Sequence, residues 1–316
     1  MNRYVPEGNY IIRPENREIL STMEGLSRAL EQGMILEAIA RVCDSDMTLH
    51  FELGGIEGIM PREEVQYVKE GVSVKDIAVL TRVGKPVCFK VIGFTRGEDG
   101  RAVAVLSRRA AQLECAECFI AALSPGDLIP ARITHLEPFG AFVDIGCGIV
   151  SLLSIDAISV SRISHPSDRF AVGDRIFCLI RRIDEDGRIY VTHRELLGTW
   201  EENASLFSAG ETVAGTVRSI ESYGIFVELT PNLAGLAEAK EGVSVGDSAA
   251  VYIKSIIPEK MKIKLIIIDS HPAPPERDIT YFVDTVSCAH IDRWRYSPHG
   301  AQKLIETVFC ESDEEI

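Results

Sequence analysis

The chain carries an internal repeat, and the repeated unit is short and strand-like. The stretch "EPFGAFVDI" (Glu137–Ile145) returns as "ESYGIFVEL" (Glu221–Leu229), and a weaker copy is "MTLHFELGGIEGIMP" (Met47–Pro61). Each copy lies between further short apolar runs, separated by turn signals such as "DEDG" (Asp184–Gly187). Five short strands with Gly-rich turns in roughly 70 residues are typical of a small all-β barrel. The repeat therefore predicts three such barrels in tandem.

Strand alternation separates the two faces of the repeated stretch. In the second copy three apolar residues share the inner face, namely Ala141, Val143 and Ile145. Phe142 and Asp144 share the opposite face, and the aspartate predicts that this face is wet. Phe139 precedes the strand and can fold over onto the same side as Phe142. In the third copy Phe226 and Glu228 take the corresponding outward positions.

The outward aromatic residues admit two interpretations. In the first, a linker helix covers them, with Trp200 as a packing partner. In the second, they form a platform on which unpaired nucleotide bases stack, as in small barrels that bind single strands. Each stacked base contributes roughly 1–3 kcal/mol. The residues alone leave both interpretations open.

Helical connectors separate the copies and set the predicted boundaries. The stretches "SRRAAQLECAECFIAAL" and "RELLGTWEENASLF" are predicted helical linkers, and "NREILSTMEGLSRALEQG" is a predicted amphipathic helix that ends at Gly33. The predicted segments are an N-terminal segment and helix (1–33), a first barrel (34–110), a helical linker (111–125), a second barrel (126–197), a second linker (198–208), a third barrel (209–269) and a C-terminal extension with an acidic tail (270–316).

Composition excludes several classes of protein. No apolar stretch follows a basic start and no run reaches membrane-spanning length, so we expect a cytoplasmic protein without membrane association. The eight cysteines are then expected to be reduced. A net charge of -14 argues against a basic coat protein of nucleic acid. However, the eight cations of residues 127–197 are all arginines, which favour contacts with phosphates and bases.

Three stretches of the second copy resemble the S1 RNA-binding domain, an OB-fold barrel. They are "GDLIPARITHLEPFGAFVDIG", "SHPSDRFAVGDRI" and "RIDEDGRIYVTHREL". The resemblance is close in the second copy, good in the first half of the third, and weakest in the first. Three tandem copies resemble the ribosomal protein S1 family. The implied fold is mainly β, with three five-stranded OB-fold barrels, short helical linkers, an N-terminal helix and a small C-terminal extension.

The resemblance implies an RNA-binding face on the second barrel. Phe139 and Phe142 match the family's two stacking aromatics, and Asp184 and Arg188 match its polar pair in the last hairpin. Ser154 stands where the family often has a histidine. We also expect arginines such as Arg132 and Arg188 to hold phosphates.

The other two copies carry this face unequally. In the third copy Tyr223 and Phe226 match the aromatics, Lys262 matches the arginine, and Glu238 falls near the histidine position. In the first copy the aromatic and third-strand positions hold other residues, which are Met47, His50 and Pro61. The first copy has therefore lost its platform, and we expect it to serve a structural or protein-docking role.

The predicted function is single-stranded messenger RNA binding in translation, without catalysis and without a cofactor. The expected partners are RNA and the small ribosomal subunit. The subunit would be contacted through the first barrel and the N-terminal helix, whose apolar stripe is Leu20, Met23, Leu26, Ala29 and Leu30. The alternative is that this stripe packs on its own barrel. Two other functions stay open, an accessory RNA-binding factor in RNA decay or transcription, and a protein-interaction scaffold.

A few further features are weaker. His135 and His193 could face RNA, whereas His165 is expected to cap or pack. Cys115 and Cys118 form a C-x-x-C pair, which favours helix packing over a metal site. The C-terminal extension predicts two strands and a helix. Its "RWRY" stretch (Arg293–Tyr296) either stacks on RNA or packs on the third barrel, and its Cys and His residues fit no strong zinc spacing: Cys288, His290, His299 and Cys310.

Overall fold

A computed structural model describes residues 3–68, 71–97, 100–185, 187–274 and 279–310. Within these ranges the chain forms three closed five-stranded barrels in sequence order. The predicted turns at residues 97–100 and 184–187 contain positions outside the described residues, and the acidic tail, 311–316, lies wholly outside them.

The strands of the barrels follow the predicted repeat. The first barrel consists of β1 Leu36–Cys43, β2 Leu49–Leu53, β3 Ile56–Met60, β4 Pro86–Arg96 and β5 Ala102–Ser107. The second consists of β6 Leu128–Glu137, β7 Gly140–Asp144, β8 Val150–Ser154, β9 Arg175–Ile183 and β10 Ile189–Thr192. The third consists of β11 Thr212–Glu221, β12 Gly224–Thr230, β13 Leu233–Ala237, β14 Ser248–Ile257 and β15 Lys262–His271.

Strand order is the same in each barrel. The first three strands form a meander, the third strand pairs in parallel with the fifth, and the fourth closes the barrel against the first. This is the predicted OB-type barrel, and the fold class is confirmed. The inner face is also as predicted, since Ala141 and Val143 of β7 and Ile145 just after it are fully buried. On β12, Ile225 and Val227 are buried.

The N-terminal region holds two helices where the sequence predicts one. They are α1 Pro14–Leu20 and α2 Met23–Gln32. The break occurs because Thr22 is extended and caps α2, with its hydroxyl accepting a hydrogen bond from the amide of Gly25 at 3.0 Å. Gly33 ends α2 in the left-handed conformation, as predicted. Leu26 and Ala29 are fully buried in the core of the first barrel, so the apolar stripe packs on its own barrel.

The connectors are helical, as predicted. They are α4 Arg108–Cys118 after the first barrel and α5 Trp200–Ala204 after the second, and α3 Asp76–Leu80 lies within the first barrel. The described part of the C-terminal extension, 279–310, contains two strands, β16 Arg293–Arg295 and β17 Glu306–Val308. It contains no helix, so the predicted helix of the extension is wrong. Trp294 and Tyr296 are buried in the core cluster of the third barrel, which removes them as stacking residues.

By contacts the chain divides into two compact units. One contains residues 1–123 and 144–150, and the other contains residues 124–143 and 151–316. The second unit therefore holds the third barrel, most of the second barrel and the C-terminal extension. Among the described residues, no helix combines the length and the apolar character needed to span a membrane.

Candidate nucleic-acid interface

An exposed aromatic pair lies at the hairpin between β11 and β12 of the third barrel. The rings of Tyr223 and Phe226 meet edge to face, with centroids 6.2 Å apart and planes at 88°. Tyr223 is 67% exposed, and Phe226 is half-buried at the third position of β12. The pair therefore offers aromatic surface to solvent.

The second barrel repeats this pair with nearly the same geometry. Phe139 and Phe142 lie with centroids 6.0 Å apart and planes at 89°, and Phe139 is 54% exposed. Trp200, the expected covering residue, is instead buried in the core cluster of the third barrel. The interpretation in which Trp200 covers the pair is therefore wrong.

A glycine inside each aromatic pair brings the hairpin close to the neighbouring strand. A Cβ atom on Gly140 would lie 2.4 Å from the carbonyl oxygen of Leu153, and one on Gly224 would lie 2.5 Å from that of Ala237. The amide of Ile155 also donates to the carbonyl oxygen of Phe139 at 3.0 Å. These contacts hold the turn of the second barrel against the end of β8, beside Ser154.

Strand register continues the aromatic pair of the third barrel into a transverse row. Phe226 pairs with Leu236 on β13, and Leu236 pairs in parallel with Lys264 on β15. Lys262 lies two residues before Lys264 on the same strand. A groove of about 540 Å³ runs along this face, and its lining includes Tyr223, Phe226, Leu236, Glu238, Lys254, Lys262 and Lys264.

The second barrel has a corresponding row of residues, which ends in Tyr190 where the third barrel has Lys264. Leu152 pairs in parallel with Tyr190, and Tyr190 pairs with Arg182 on β9. The Arg182 guanidinium lies 4.0 Å from the centre of the Tyr190 ring. Sequence reasoning missed Tyr190, although its outward position is signalled by the buried Val191 that follows it.

Register also relates the two predicted cations. Arg188 lies two residues before Tyr190, and Lys262 lies two residues before Lys264, so Lys262 occupies the place of Arg188 in the third barrel. Arg188 is exposed. Its carbonyl accepts a hydrogen bond from the amide of Asp184 at 2.9 Å, while the Asp184 carboxylate pairs with Arg182 at 2.9 Å.

The remaining predicted residues of the second barrel lie at separate points. Ser154 Oγ accepts a hydrogen bond from Arg181 at 3.4 Å, which brings a further cation to the end of β8. Arg181 also lies 3.5 Å from the carboxylate of Asp156. Arg132 is held elsewhere, since its Nε donates to the carbonyl of Gly173 at 3.2 Å in the loop before β9.

The three histidines of the second barrel take three different roles. His135 lies beside Phe142, with ring centroids 6.3 Å apart and planes at 26°, and its Nε2 is 2.7 Å from Glu137. His165 caps a short 3-10 helix, as expected, by accepting from the amide of Ser167. His193 is fully buried, so the suggestion that it faces RNA is wrong.

Two carboxylates expected on the wet face are buried. Asp144 is 1% exposed and accepts hydrogen bonds from the amides of Glu7, Gly146 and Gly148 at 2.7, 2.8 and 3.0 Å. Burial, with the nearby Glu7 carboxylate, raises the pKa of Asp144 to about 7. Glu228 is 6% exposed. The outer faces of β7 and β12 are therefore partly exposed to solvent at Phe142 and Phe226, and they are buried two residues later, at Asp144 and Glu228.

The first barrel lacks this surface at the matching positions. His50 occupies the place of Phe226, because it pairs with Ile59, which pairs in parallel with Val105. The His50 ring lies between two carboxylates, 2.9 Å from Asp44 and 3.1 Å from Glu57. The hydrogen bond to Asp44, followed by that to Glu57, raises the pKa of His50. An acidic cluster here replaces an aromatic platform.

Comparisons with known proteins place the second barrel in a named domain family. The S1 RNA binding domain matches residues 123–194. The small ribosomal subunit protein bS1 of Leuconostoc lactis is 30% identical over 218 residues, covering 63% of this chain and 50% of that protein. The Pseudomonas aeruginosa protein of the same name is 26% identical over 280 residues, covering 84% of this chain and 48% of that protein. The chain spans about half the length of these relatives.

One solved structure covers much of the chain, a multidomain protein with nucleic acid binding domains from Streptococcus pneumoniae. It covers 75% of this chain and 73% of its own, at 15% identity and a TM-score of 0.25. The OB-type fold is shown by the strand order of the three barrels. The S1 RNA binding domain match in the second barrel, and the same strand order in all three barrels, fit a tandem S1-domain protein that resembles ribosomal protein S1.

Proposed function

We propose that the chain binds single-stranded RNA on the outer faces of its second and third barrels. The observation that carries this proposal is the repeated edge-to-face aromatic pair, Phe139 with Phe142 and Tyr223 with Phe226. An exposed aromatic ring at the same hairpin of two barrels contributes nothing to either core, whereas unpaired bases stack on such rings.

Cations beside each aromatic pair complete the proposed site. In the third barrel Lys262 and Lys264 line the same groove as Tyr223 and Phe226, where they would neutralise phosphates of a strand whose bases stack on the rings. In the second barrel the exposed Arg188 takes the register position of Lys262 and would do the same. Arg182 and Tyr190 add a second stacking surface in the second barrel. These groups bind RNA without transforming it, so we propose a non-enzymatic protein that needs no cofactor.

Two linked sites bind more tightly than either one alone. Once RNA occupies one barrel, the other samples it at a high effective concentration. Single-strand recognition through stacking is tolerant of sequence and favours unstructured messenger over duplex. We propose that the first barrel does not stack bases, because His50 with its two carboxylates replaces the aromatic residue there.

The client follows from the relatives, which are named as small ribosomal subunit proteins. We propose that the chain acts in the cytoplasm during translation and delivers messenger RNA to the small ribosomal subunit. Co-sedimentation with purified small subunits separates this role from an accessory role in RNA decay or transcription. A chain that binds RNA and stays in the supernatant would have another client.

Fluorescence anisotropy on a labelled, unstructured RNA tests the binding itself. Phe142→Ala and Phe226→Ala should each cost about 1–3 kcal/mol of binding free energy, and the double variant should lose most measurable binding. His50→Ala is the matched control, because His50 occupies the same register position in the first barrel, and it should leave affinity unchanged. If the wild type fails to bind at low salt, or if the alanine variants bind as it does, the stacking proposal is wrong.

A further inference from the structure

Three chemically distinct metal-binding side chains converge at the edge of the C-terminal extension. His290 Nε2 lies 3.3 Å from Asp292 Oδ1 and 4.0 Å from Cys310 Sγ. All three ligand atoms lie within 4.8 Å of one another. The cluster lies outside the proposed RNA face.

These separations are close to those of a tetrahedral zinc site. Zinc bonds of about 2.0–2.1 Å to nitrogen, 2.0–2.2 Å to oxygen and 2.3 Å to sulfur place adjacent ligand atoms roughly 3.3–3.7 Å apart. The His290–Asp292 distance already falls in that range, and the His290–Cys310 distance exceeds it by a few tenths of an ångström. The third separation, between the ligand atoms of Asp292 and Cys310, is within 4.8 Å, so enclosing an ion requires rotation of these two exposed side chains toward each other.

A second carboxylate orients the histidine for this role. Asp127 Oδ1 accepts a hydrogen bond from His290 Nδ1 at 2.6 Å, which leaves Nε2 with the lone pair that a metal needs. The other oxygen of Asp127 accepts from the amide of Ser124 at 2.7 Å. Asp127 is thus fixed on both sides, as the outer carboxylate of a carboxylate–histidine–metal arrangement is.

Backbone pairing holds the three ligands together. His290 forms a β-bridge with Asp127, and the amide of Ile291 donates to the carbonyl of Gly126 at 3.0 Å. The amide of Cys310 donates to the carbonyl of Asp292 at 3.3 Å, which extends the pairing of β16 with β17. The ligand positions are therefore set by regular backbone contacts.

We propose that His290, Asp292 and Cys310 bind a zinc ion, with Asp127 as the orienting residue and a fourth position open to water. Imidazole, thiolate and carboxylate together suit zinc among the common divalent ions. The side chain of Asp292 is 79% exposed, so an ion reaches the site from solvent. Bound zinc would tie the end of the described chain to the beginning of β6.

The irregular ligand spacing hid this site at the level of the sequence. Of the four Cys and His residues of the extension, Cys288 and His299 lie outside the cluster, and the third ligand is the carboxylate of Asp292. The Cys288 thiol instead donates to the carbonyl of His290 at 3.4 Å. The ligands meet because the strand pair β16–β17 brings position 310 back beside position 292.

Cobalt titration of the reduced full-length protein tests the site, since cobalt replaces zinc and reports thiolate ligation by a charge-transfer absorption band. We expect a band that saturates at one equivalent of cobalt and is abolished by zinc. Cys310→Ser should eliminate the band. Cys118→Ser, which removes another exposed thiol, is the matched control and should retain it. A wild type without the band, or a Cys310→Ser variant with it, would overturn the proposal.

Zinc affinity of the remaining variants distinguishes ligands from the orienting residue. Competition with a colorimetric chelator should show that His290→Gln and Asp292→Asn each weaken zinc binding at least as much as Asp127→Asn does. The expected loss for Asp127→Asn is about 10–100-fold. His299→Gln should bind zinc as the wild type does. Equal zinc affinity in all variants would mean that zinc binds elsewhere in the protein. Circular dichroism of each variant verifies that it is folded.

Discussion

Arg169 of the second barrel and Glu228 of the third form an ion pair in which both side chains are buried. Their side chains are 4% and 6% exposed, and Arg218 adds two hydrogen bonds to the same carboxylate, each of 3.0 Å. Asn232 reinforces the junction, since its side-chain amide donates to the carbonyls of Arg194 and Gly198 at 2.8 and 2.9 Å. These buried contacts therefore join the second and third barrels at this junction.

Removing the charge of Glu228 should weaken this junction strongly. Glu228→Gln leaves two buried guanidinium groups without their carboxylate, and we expect a loss of about 3–5 kcal/mol in the free energy of unfolding. Urea denaturation followed by circular dichroism measures it. Glu221→Gln, an exposed glutamate on β11, should change stability by less than about 0.5 kcal/mol. Equal stability of the two variants would show that the pair does not couple the barrels.

The hairpin glycine of the third barrel should be needed for both stability and RNA binding. A Cβ atom on Gly224 would lie 2.5 Å from the carbonyl oxygen of Ala237, so Gly224→Ala must displace the turn that carries Tyr223. We expect a loss of about 1–3 kcal/mol in unfolding free energy, together with weaker RNA binding in anisotropy. Gly93→Ala, with open space around its Cβ position, is the control for both measurements. Unchanged RNA affinity in Gly224→Ala would separate the turn from the proposed site.

The cation at the register position of Arg188 should contribute through phosphate contacts. Lys262→Gln should lower RNA affinity and reduce the magnitude of the slope of log K against log salt concentration by about 0.7, the value for one phosphate contact to a single strand. Binding isotherms at several salt concentrations measure the slope. Lys85→Gln, an exposed lysine of the first barrel, should leave the slope unchanged. An identical slope for Lys262→Gln would place the RNA backbone elsewhere.

The repeat made the architecture predictable, because each strand and turn carries a local signal. The alignment of Phe226 with His50 agrees with strand register, and the alignment of Phe142 with Phe226 agrees with the matching ring geometry of the two aromatic pairs. Inner and outer faces of β7 and β12 were predictable at the aromatic residues, where alternation alone decides. The fold class therefore needed little beyond short-range pattern.

Long-range contacts made other features unpredictable. Asp144 and Glu228 continue the alternation of the wet face, yet both are buried by residues distant in the sequence, Glu7 for the first and Arg169 for the second. For Trp294 the sequence left open stacking on RNA and packing on the third barrel, and the structure shows packing, which depends on contacts with a barrel that precedes it in the chain. For Asp144 and Glu228 the local pattern predicts the correct strand face and the wrong environment.

Buried His193 should make the protein sensitive to acid. Its ring lies between Phe170 and Tyr281, Nδ1 donates to the carbonyl of Ile158 at 3.0 Å, and Nε2 lies 3.4 Å from the hydroxyl of Tyr281. Burial, with a smaller effect of the Arg169 charge, lowers the pKa of His193 to about 4. Between pH 6.5 and 4 the imidazole of His193 binds a proton in the unfolded chain and stays neutral in the folded chain, so the contribution of His193 to stability falls as the pH falls.

At pH 4 the shifted pKa of His193 should lower the free energy of unfolding by about 3 kcal/mol relative to neutral pH, and this effect vanishes above pH 6.5. Urea denaturation at pH 7.5 and pH 4.5 measures the difference for each variant. His193→Gln, which does not titrate, should lose about 2–3 kcal/mol less than the wild type between these two pH values. His135→Gln, whose imidazole is 61% exposed, should keep the wild-type difference. If His193→Gln and the wild type lose the same stability between these two pH values, another group controls the acid sensitivity. His193 would then be protonated in the folded protein at pH 4.5.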